Sequence, residues 1–184
     1  MVSLKRLALI PVALAALLAA GCGGSGDSSS SSPSATEWAD GLCSAITTWS
    51  SSVRTSAKTL QGGNLSEDSL KTATSGITDA TNELASDLKD LGKPDTDAGD
   101  KAKEATDQLS SDVKDDVQTM KDAVGNASGA AGAATAASTI VATLSKMGTQ
   151  VSSAATKLQQ ADAKGELEKG FKDASSCSDL TGSG

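Results

Sequence analysis

The sequence predicts an all-α protein folded as an antiparallel, up-down-up-down four-helix bundle. Apolar residues recur at spacings of three and four along four stretches, which is the pattern of a helix with one buried face. Short breaks separate these stretches, and short connections favour helices that pack side by side in alternating directions. No stretch alternates apolar and polar residues as a half-buried strand does, and the chain has no Asn-Gly pair typical of hairpin turns.

The first helix is predicted to begin at Ser34, which stands three residues before Glu37 in the S-x-x-E spacing of a capping box. The Gln-Gly-Gly-Asn sequence at residues 61–64 ends it. Its apolar stripe consists of Trp38, Leu42, Ile46, Trp49, Val53, Ala57 and Leu60. Both tryptophans are therefore predicted in the core. The alternative for Trp38 is a position at the level of the lipid headgroups.

The second helix is predicted to begin after Ser66 and to end at Gly92 and Pro94. Its stripe consists of Leu70, Ala73, Ile77, Ala80, Leu84, Leu88 and Leu91. The third is predicted to begin near Asp95 or Thr96, because acidic residues in the first turn suit the helix dipole. Its stripe consists of Ala98, Ala102, Ala105, Leu109, Val113, Val117, Met120 and Val124.

Residues 125–137 are almost all Gly, Ala, Ser and Thr, a composition that fits a loop or the small-residue start of a fourth helix. A stripe then resumes with Ile140, Leu144, Met147, Val151, Ala154, Leu158 and Ala161. Gly165 is predicted to break this helix, and Leu167 with Phe171 to form a last short amphipathic turn before Cys177. The helical bundle is thus predicted over residues 34–177, followed by a frayed tail over residues 178–184.

The N-terminal segment has the features of a cleaved export signal. Lys5 and Arg6 precede an apolar run over residues 7–20, shorter than the roughly 20 residues that a membrane-spanning helix needs. The Leu-Ala-Ala-Gly-Cys sequence at residues 18–22 resembles the lipobox of bacterial lipoproteins, in which the cysteine is acylated and becomes the new N-terminus. Ala19 stands where the lipobox usually has leucine.

This resemblance implies that residues 1–21 are a signal peptide and that Cys22 carries lipid, including palmitate. It places the mature chain at the cell membrane, lipid-anchored on the extracytoplasmic face. The alternative is an ordinary signal peptide that leaves Cys22 without lipid. Residues 22–33 are predicted to hold the lipidated cysteine and a flexible Gly/Ser-rich tether. The eleven residues after Cys22 would span about 18 Å.

If Cys22 carries lipid, two of the three cysteines remain to form a disulfide. An even remainder in an oxidising compartment predicts a disulfide between Cys43 and Cys177. In an up-down-up-down bundle the start of the first helix and the end of the fourth lie at the same end, where these two cysteines belong. The alternative is a pair of free buried thiols.

The charge balance excludes several classes of partner. Removal of Lys5 and Arg6 leaves 14 of the 16 basic residues against 23 acidic ones, a formal charge of -9 for the mature chain. Nucleic acids and anionic lipid surfaces are bound by positively charged faces, so we expect no nucleic-acid partner. The expected partners are the membrane, through the lipid on Cys22, and an envelope protein or a cell-wall polymer.

The residues needed for several common kinds of site are missing. The chain has no histidine and no tyrosine, which excludes histidine-dependent nucleophilic catalysis and histidine-ligated metals. We therefore expect no catalytic residue, no metal site and no cofactor. Two S-x-x-K sequences, at residues 86–89 and 111–114, match the nucleophile motif of penicillin-binding proteins, but the companion S-D-N and K-T-G motifs are absent. Both are interpreted as solvated helix surface.

Two groups of acidic residues are candidate ligands for divalent cations. Residues 95–100 resemble the start of an EF-hand loop, but the glutamate that the loop needs at its twelfth position is replaced by Thr106. The second group consists of Asp107, Asp112, Asp115 and Asp116. It is predicted to form a solvated helix face, and the alternative is a face that binds cations weakly and nonspecifically.

The mature region resembles the small helical lipoproteins of high-GC actinobacteria. The resemblance rests on Trp38, Cys43 and Trp49 in the first helix, on the Ser-rich tether and on Cys177, and it implies no particular activity. We expect a non-enzymatic binding or scaffolding module at the cell envelope. The alternative function is a carrier that holds a small apolar ligand or lipid between its helices, with residues 125–137 leaving room for it.

Overall fold

In a computed structural model of the 184-residue chain, residues 32–60 and 65–178 are described. Over these ranges the protein is helical and contains no strand, which confirms the all-α prediction. The elements are α1 (Ala35–Lys58), α2 (Glu67–Leu91), α3 (Gly99–Gly125), α4 (Gly129–Ala161), α5 (Glu166–Asp173) and a 3₁₀ turn (Ser175–Cys177). All of them belong to one compact unit of the chain.

The predicted caps of the first two helices are present. The Ser34 hydroxyl accepts a hydrogen bond from the Glu37 N–H at 3.3 Å, and the Glu37 carboxylate accepts one from the Ser34 N–H at 2.9 Å. Ser66 caps α2 through the equivalent pair of bonds with Ser69. Gly92 ends α2 with a φ of 62°, a conformation that glycine adopts without steric cost.

The start of α3 differs from the prediction. The helix begins at Gly99, because the residues before it form a tight turn whose backbone bonds replace those of a helix. The Gly99 N–H donates to the Thr96 carbonyl at 2.9 Å, and the Asp95 N–H donates to the Pro33 carbonyl at 2.8 Å. A Cβ on Gly99 would overlap the Pro94 carbonyl oxygen, so this turn requires glycine there.

The small-residue stretch over residues 125–137 is mostly helical. α4 begins at Gly129 and runs for 33 residues. Ala133 and Ala136 are buried, so the first turns of α4 pack closely against the rest of the bundle. Of the two alternatives for this stretch, the small-residue start of a fourth helix is correct.

Three helix interfaces contain the core: α1 packs against α2, α2 against α3, and α3 against α4. We call these interfaces the packed side. The largest side chains with less than 2% exposure lie mainly on α2, α3 and α4, and include Leu70, Ile77, Leu84, Leu88, Val113, Met120, Ile140 and Met147. α1 and α4 make no comparable interface, because α5 and the 3₁₀ turn pack against α1 instead.

Both tryptophans lie in the core. Trp38 is fully buried, and its indole N–H donates to the Gly92 carbonyl at 3.2 Å, so a position among lipid headgroups is excluded. The Trp49 indole N–H donates to the Thr81 hydroxyl at 3.2 Å. None of the described helices is long and apolar enough to cross a bilayer.

The prediction that the acidic residues of α3 lie on a solvated face was wrong for Asp116. Asp116 is only 1% exposed, and its Oδ1 accepts from Lys146 Nζ of α4 at 2.6 Å. Asp116 follows Val113 by three residues and precedes Met120 by four, so it belongs to the buried stripe of the helix. Its Oδ2 is buried without a hydrogen-bond partner. Asp107 and Asp115 are exposed, as predicted.

Candidate binding cleft

A cleft of about 970 Å³ lies between α1 and the C-terminal half of α4. Its volume is at the upper end of the range usual for small-molecule sites. We call it the α1–α4 cleft. Its apolar lining comes from α1, α3, α4, α5 and the 3₁₀ turn, and comprises Leu42, Cys43, Ile46, Leu109, Val151, Ala154, Ala155, Leu158, Leu167, Phe171, Ala174 and Cys177.

The cleft exists because α5 lies against α1 where a closed bundle would have α4. Gly165, with a φ of 73°, reverses the chain after α4 and begins α5. Gly170 then brings α5 directly onto the start of α1, since a Cβ there would lie 2.6 Å from the Ala35 carbonyl oxygen. Ala154 and Ala155 on the α4 wall are too small to fill the remaining space.

The two cysteines predicted to pair are joined at the edge of this cleft. The Sγ atoms of Cys43 and Cys177 lie 2.02 Å apart, and their Cα atoms 5.0 Å apart. The bond connects the first half of α1 to the 3₁₀ turn, and both cysteines line the cleft. It therefore fixes the C-terminal wall of the cleft to α1.

Asp40 holds the same turn by hydrogen bonds. Its Oδ1 accepts from the Ser176 backbone N–H at 2.9 Å and from the Ser175 hydroxyl at 3.1 Å. Because these bonds favour the charged carboxylate, with the Ser176 backbone contributing most, the pKa of Asp40 is lowered from its ordinary value. The turn is thus attached to α1 by both covalent and polar contacts.

Phe171 connects the cleft to the first-helix core. Its ring packs edge-on against the Trp38 ring, with the ring centroids 6.2 Å apart. The Phe171 side chain also lines the cleft. Edge-to-face aromatic pairs of this kind stabilise beyond the area that they bury. Phe171 therefore forms a wall of the cleft that is supported from behind.

The polar residues of the lining lie mostly at its solvent-exposed rim. Asp162 accepts a hydrogen bond from the Glu168 N–H at 2.7 Å, and Glu168 pairs with Lys172 at 2.5 Å. Hydrogen bonding to Glu168 raises the pKa of Lys172, which keeps the lysine charged. Gln159 completes the rim on α4. The rim thus carries two carboxylates and one ammonium group.

A second cavity, of about 340 Å³, lies on the outer face of α3 and α4 and is lined by polar and apolar surface in similar amounts. It is lined by Lys101, Glu104, Ala105, Gln108, Lys157, Gln160 and Ala161. Residues 125–137, which were expected to leave room for a ligand, line neither this cavity nor the α1–α4 cleft. The space in the bundle lies nearer the other end of α4.

The acidic and serine-lysine motifs have other partners in the described part of the chain. Asp97 pairs with Lys164, and Asp100 pairs with Lys93 at 2.8 Å. No group of three or more potential ligands within residues 32–60 and 65–178 could hold a metal ion. Ser86 and Lys89 are both exposed on α2.

Cys22 lies outside the described residues, so its acylation stays a prediction. Comparisons with models of known families, with curated proteins and with solved structures find no match to this chain. Sequence reasoning missed the cleft, since it assigned the apolar residues that line it on α1, α3 and α4, apart from Ala155 and Cys43, to the core-facing stripes of a closed bundle. The neighbouring Ala154 and Ala155, followed by a separate amphipathic turn, are the sequence signal for it.

Proposed function

We propose that this protein is a lipid-anchored, non-enzymatic binding module on the extracytoplasmic face of the cell membrane. The anchor rests on the lipobox resemblance at residues 18–22 and on the export signal before it. The binding role rests on the α1–α4 cleft, an apolar cavity of about 970 Å³ whose walls are joined by a disulfide. Disulfides persist in oxidising compartments, in agreement with export.

For the bundle, we infer the up-down-up-down arrangement. Two contacts support an antiparallel arrangement of α1 and α2: Trp38 lies against Gly92, and Trp49 lies against Thr81. The residue numbers along α2 therefore decrease as those along α1 increase. The Asp116–Lys146 pair supports the same relation for α3 and α4.

Further contacts support a common end for the start of α1, the α2–α3 turn and the α4–α5 junction. The Pro33 carbonyl accepts from the Asp95 N–H, and Asp97 of the same turn pairs with Lys164. In the proposed anchored protein, the tether would leave the bundle from this end, on the membrane side of the cleft.

The absence of an enzymatic role is part of the proposal. The chain has no histidine, and its two cysteines beyond Cys22 are paired with each other. The carboxylates at the cleft rim are engaged by a backbone N–H and by Lys172 rather than left to face a substrate. A site with these features is suited to holding a ligand without transforming it.

A second candidate, a carrier of a small apolar ligand or lipid, is favoured by the apolar walls of the cleft. In the first form of the proposal, the bound partner is an envelope protein or a cell-wall polymer. A photo-crosslinking residue at Ala155, which lines the cleft, and a matched one at Ala142, which is equally exposed on the same helix but lies outside the cleft, distinguish the two forms. Crosslinking to a macromolecule from Ala155 alone favours the first form, and crosslinking to a lipid favours the carrier.

The anchor is tested by the mass and the location of the mature protein. We expect a mass that fits a chain beginning at acylated Cys22, and flotation of the protein with membranes. The Cys22→Ala variant is the control, since it removes the acylated thiol. A mature protein with a free Cys22 thiol, or one that remains in the soluble fraction, contradicts the proposal.

A further inference from the structure

The interior of the α1–α4 cleft is built for hydrocarbon. Its walls are Leu42 and Ile46 of α1, Leu109 of α3, Leu158 of α4 and Phe171 of α5. Leu109 and Leu158 are only 2% and 4% exposed, so they form the packed floor beneath the cleft, and the apolar surface open to a ligand comes from the partly buried Ile46, Val151 and Phe171. Apolar walls of this kind gain free energy when water beside them is replaced by an apolar ligand.

The polar side chains within the cleft are used by their own helices. The Thr106 hydroxyl donates to the Lys103 carbonyl at 2.9 Å, and the Ser152 hydroxyl donates to the Gly148 carbonyl at 3.2 Å. A polar ligand would lose its hydrogen bonds to water on entering and would find few groups to replace them. A hydrocarbon chain makes no hydrogen bonds to water, so it loses none when it enters the cleft.

The charges at the rim select among head groups. Asp162 and Glu168 provide two negative charges, and the single positive charge of Lys172 is already paired with Glu168 at 2.5 Å. An anionic head group held at this rim would meet net repulsion, whereas an uncharged or cationic one would not. The formal charge of the whole chain, -7, has the same sign.

The cleft is also within reach of a bilayer, if the chain is anchored as proposed above. Leu42 follows Ala35 by seven residues, about 10 Å along α1. If the eleven residues after Cys22 form the flexible tether that their composition predicts, they would span about 18 Å. An anchor at Cys22 would then hold the cleft within about 30 Å of the membrane surface.

From these four observations we propose that the α1–α4 cleft binds the hydrocarbon chain of an amphiphile with an uncharged or cationic head group, taken from the membrane that anchors the protein. This inference rests on the proposed function and names the ligand class for its carrier form. The chain lies against Ile46, Val151 and Phe171, and the head group stays at the rim near Asp162 and Glu168.

The test uses the mature, acylated protein bound to phosphatidylcholine vesicles. The probe is a monoacylglycerol that carries a photoactivatable diazirine in its chain, and the labelled residues are mapped by mass spectrometry. We expect label on the peptides that contain Val151 and Phe171, because these partly buried side chains line the cleft and face a ligand inside it. Label confined to residues outside the cleft would overturn the proposal.

A pair of variants on α4 provides the control. Ala155 and Ala142 are both exposed on α4, but only Ala155 lines the cleft, so Ala155→Phe adds a phenyl ring to the cleft and Ala142→Phe adds the same ring outside it. Added volume in an occupied site costs a factor of roughly 5 to 150 in binding, so we expect at least about a fivefold loss of labelling in A155F. Equal labelling of the two variants would also overturn the proposal.

The head-group preference is tested in a separate comparison. A fatty amine and a fatty acid that carry the same diazirine chain are compared at pH 8, where the acid is ionised. We expect the monoacylglycerol and the amine to label the cleft peptides at least about fivefold more strongly than the acid. Equal labelling by the acid would overturn the assignment of the head group.

Flotation of the vesicles separates failure of this inference from failure of the proposed function. Protein that floats with the vesicles but carries no label at Val151 and Phe171 overturns the ligand class and leaves the anchor intact. Protein that does not float contradicts the proposed anchor whatever the labelling result.

Discussion

The two sides of this helical domain are held together in different ways. On the packed side, α1, α2, α3 and α4 meet in sequence through large buried side chains such as Leu84, Ile77 and Met147. On the other side, α1 and α4 are separated by the α1–α4 cleft, and α5 with the 3₁₀ turn lies against α1. Here the Cys43–Cys177 disulfide and the hydrogen bonds to Asp40 add to the packing of α5 on α1.

This difference shows how a small, alanine-rich domain can keep a large cavity and still be ordered. Close packing of apolar side chains stabilises the packed side. The side chains between α1 and the C-terminal half of α4 leave a cleft of about 970 Å³ unfilled. A covalent bond adds to the packing of α5 and the 3₁₀ turn on α1 that fixes its walls, so that the open side depends on the cross-link more than the packed side does.

The largest expected effect comes from removing the disulfide. The bond closes a loop with a sequence separation of 134 residues, for which the chain-entropy account gives a loss of about 4–5 kcal/mol in the free energy of unfolding. We expect this loss in the Cys43→Ser/Cys177→Ser double variant, measured by urea unfolding.

Reduction of the wild-type protein should give the same loss, and the double variant should not respond to a reductant. Hydrogen exchange should rise first in α5 and the 3₁₀ turn, and much less at Leu84 and its neighbours on α2. Uniform loss of protection across all helices would contradict the distinction between the two sides.

Leucine truncation compares the two sides directly. Leu84→Ala opens a new cavity in the packed side, where Leu84 is 1% exposed, and we expect it to cost about 2–5 kcal/mol. Leu158→Ala removes the same atoms from a side chain that is 4% exposed and lies beneath the cleft, so the space that it leaves joins the open cleft and we expect a smaller cost than for Leu84→Ala. Urea unfolding of both variants gives the comparison. Equal costs would show that the cleft is closed in solution.

The ion pair between α3 and α4 tests how the packed side tolerates a buried charge. Lys146→Ala leaves the Asp116 carboxylate buried with neither oxygen partnered, so we expect a measurable loss of stability that Asp116→Asn in the same chain partly reverses. Lys71→Ala, which removes the exposed pair with Glu67, is the matched control.

The expected order of destabilisation, measured by thermal unfolding, is Leu84→Ala, then Lys146→Ala, then Lys71→Ala. A loss in K71A as large as that in K146A would argue against the buried position of Asp116.

The smallest expected effect concerns Asp40 on the open side. Its lowered pKa means that the folded state favours the charged carboxylate, so this stabilisation is present at neutral pH and is lost as the pH falls below about 3.9. We expect Asp40→Asn to be slightly less stable than the wild type at pH 7. The difference should disappear in acid, where the wild-type carboxylate is protonated as well. A stability difference that is constant from pH 7 to pH 2 would contradict this role.

Local rules were sufficient for the helices themselves. The capping box at Ser34 and Glu37 and the cap at Ser66 fixed two helix starts, because each depends on residues only three positions apart. The start of α3 was predicted too early, since the turn at Asp95 is held by Pro33, which is distant in the sequence. Composition alone could not decide between loop and helix for residues 125–137, which are helical from Gly129.

Tertiary features were harder to predict. An apolar stripe marks the face that a helix buries but does not identify the helix it meets, so α5 lying beside α1 was not foreseen. Asp116 was assigned to the surface because of its charge, although its position relative to Val113 and Met120 placed it in the core. The Cys43–Cys177 pair was predictable because the number of cysteines left only one pairing once Cys22 was assigned to lipid.

The central claim is that the α1–α4 cleft holds a ligand in the anchored protein. It is tested most directly by native mass spectrometry of the protein extracted under mild conditions from its own membrane. We predict an added mass of one lipid class on the wild type and on the Ala142→Phe variant, and its loss from the Ala155→Phe variant. A wild-type protein that carries no added mass, or the same added mass on Ala155→Phe, would contradict the claim.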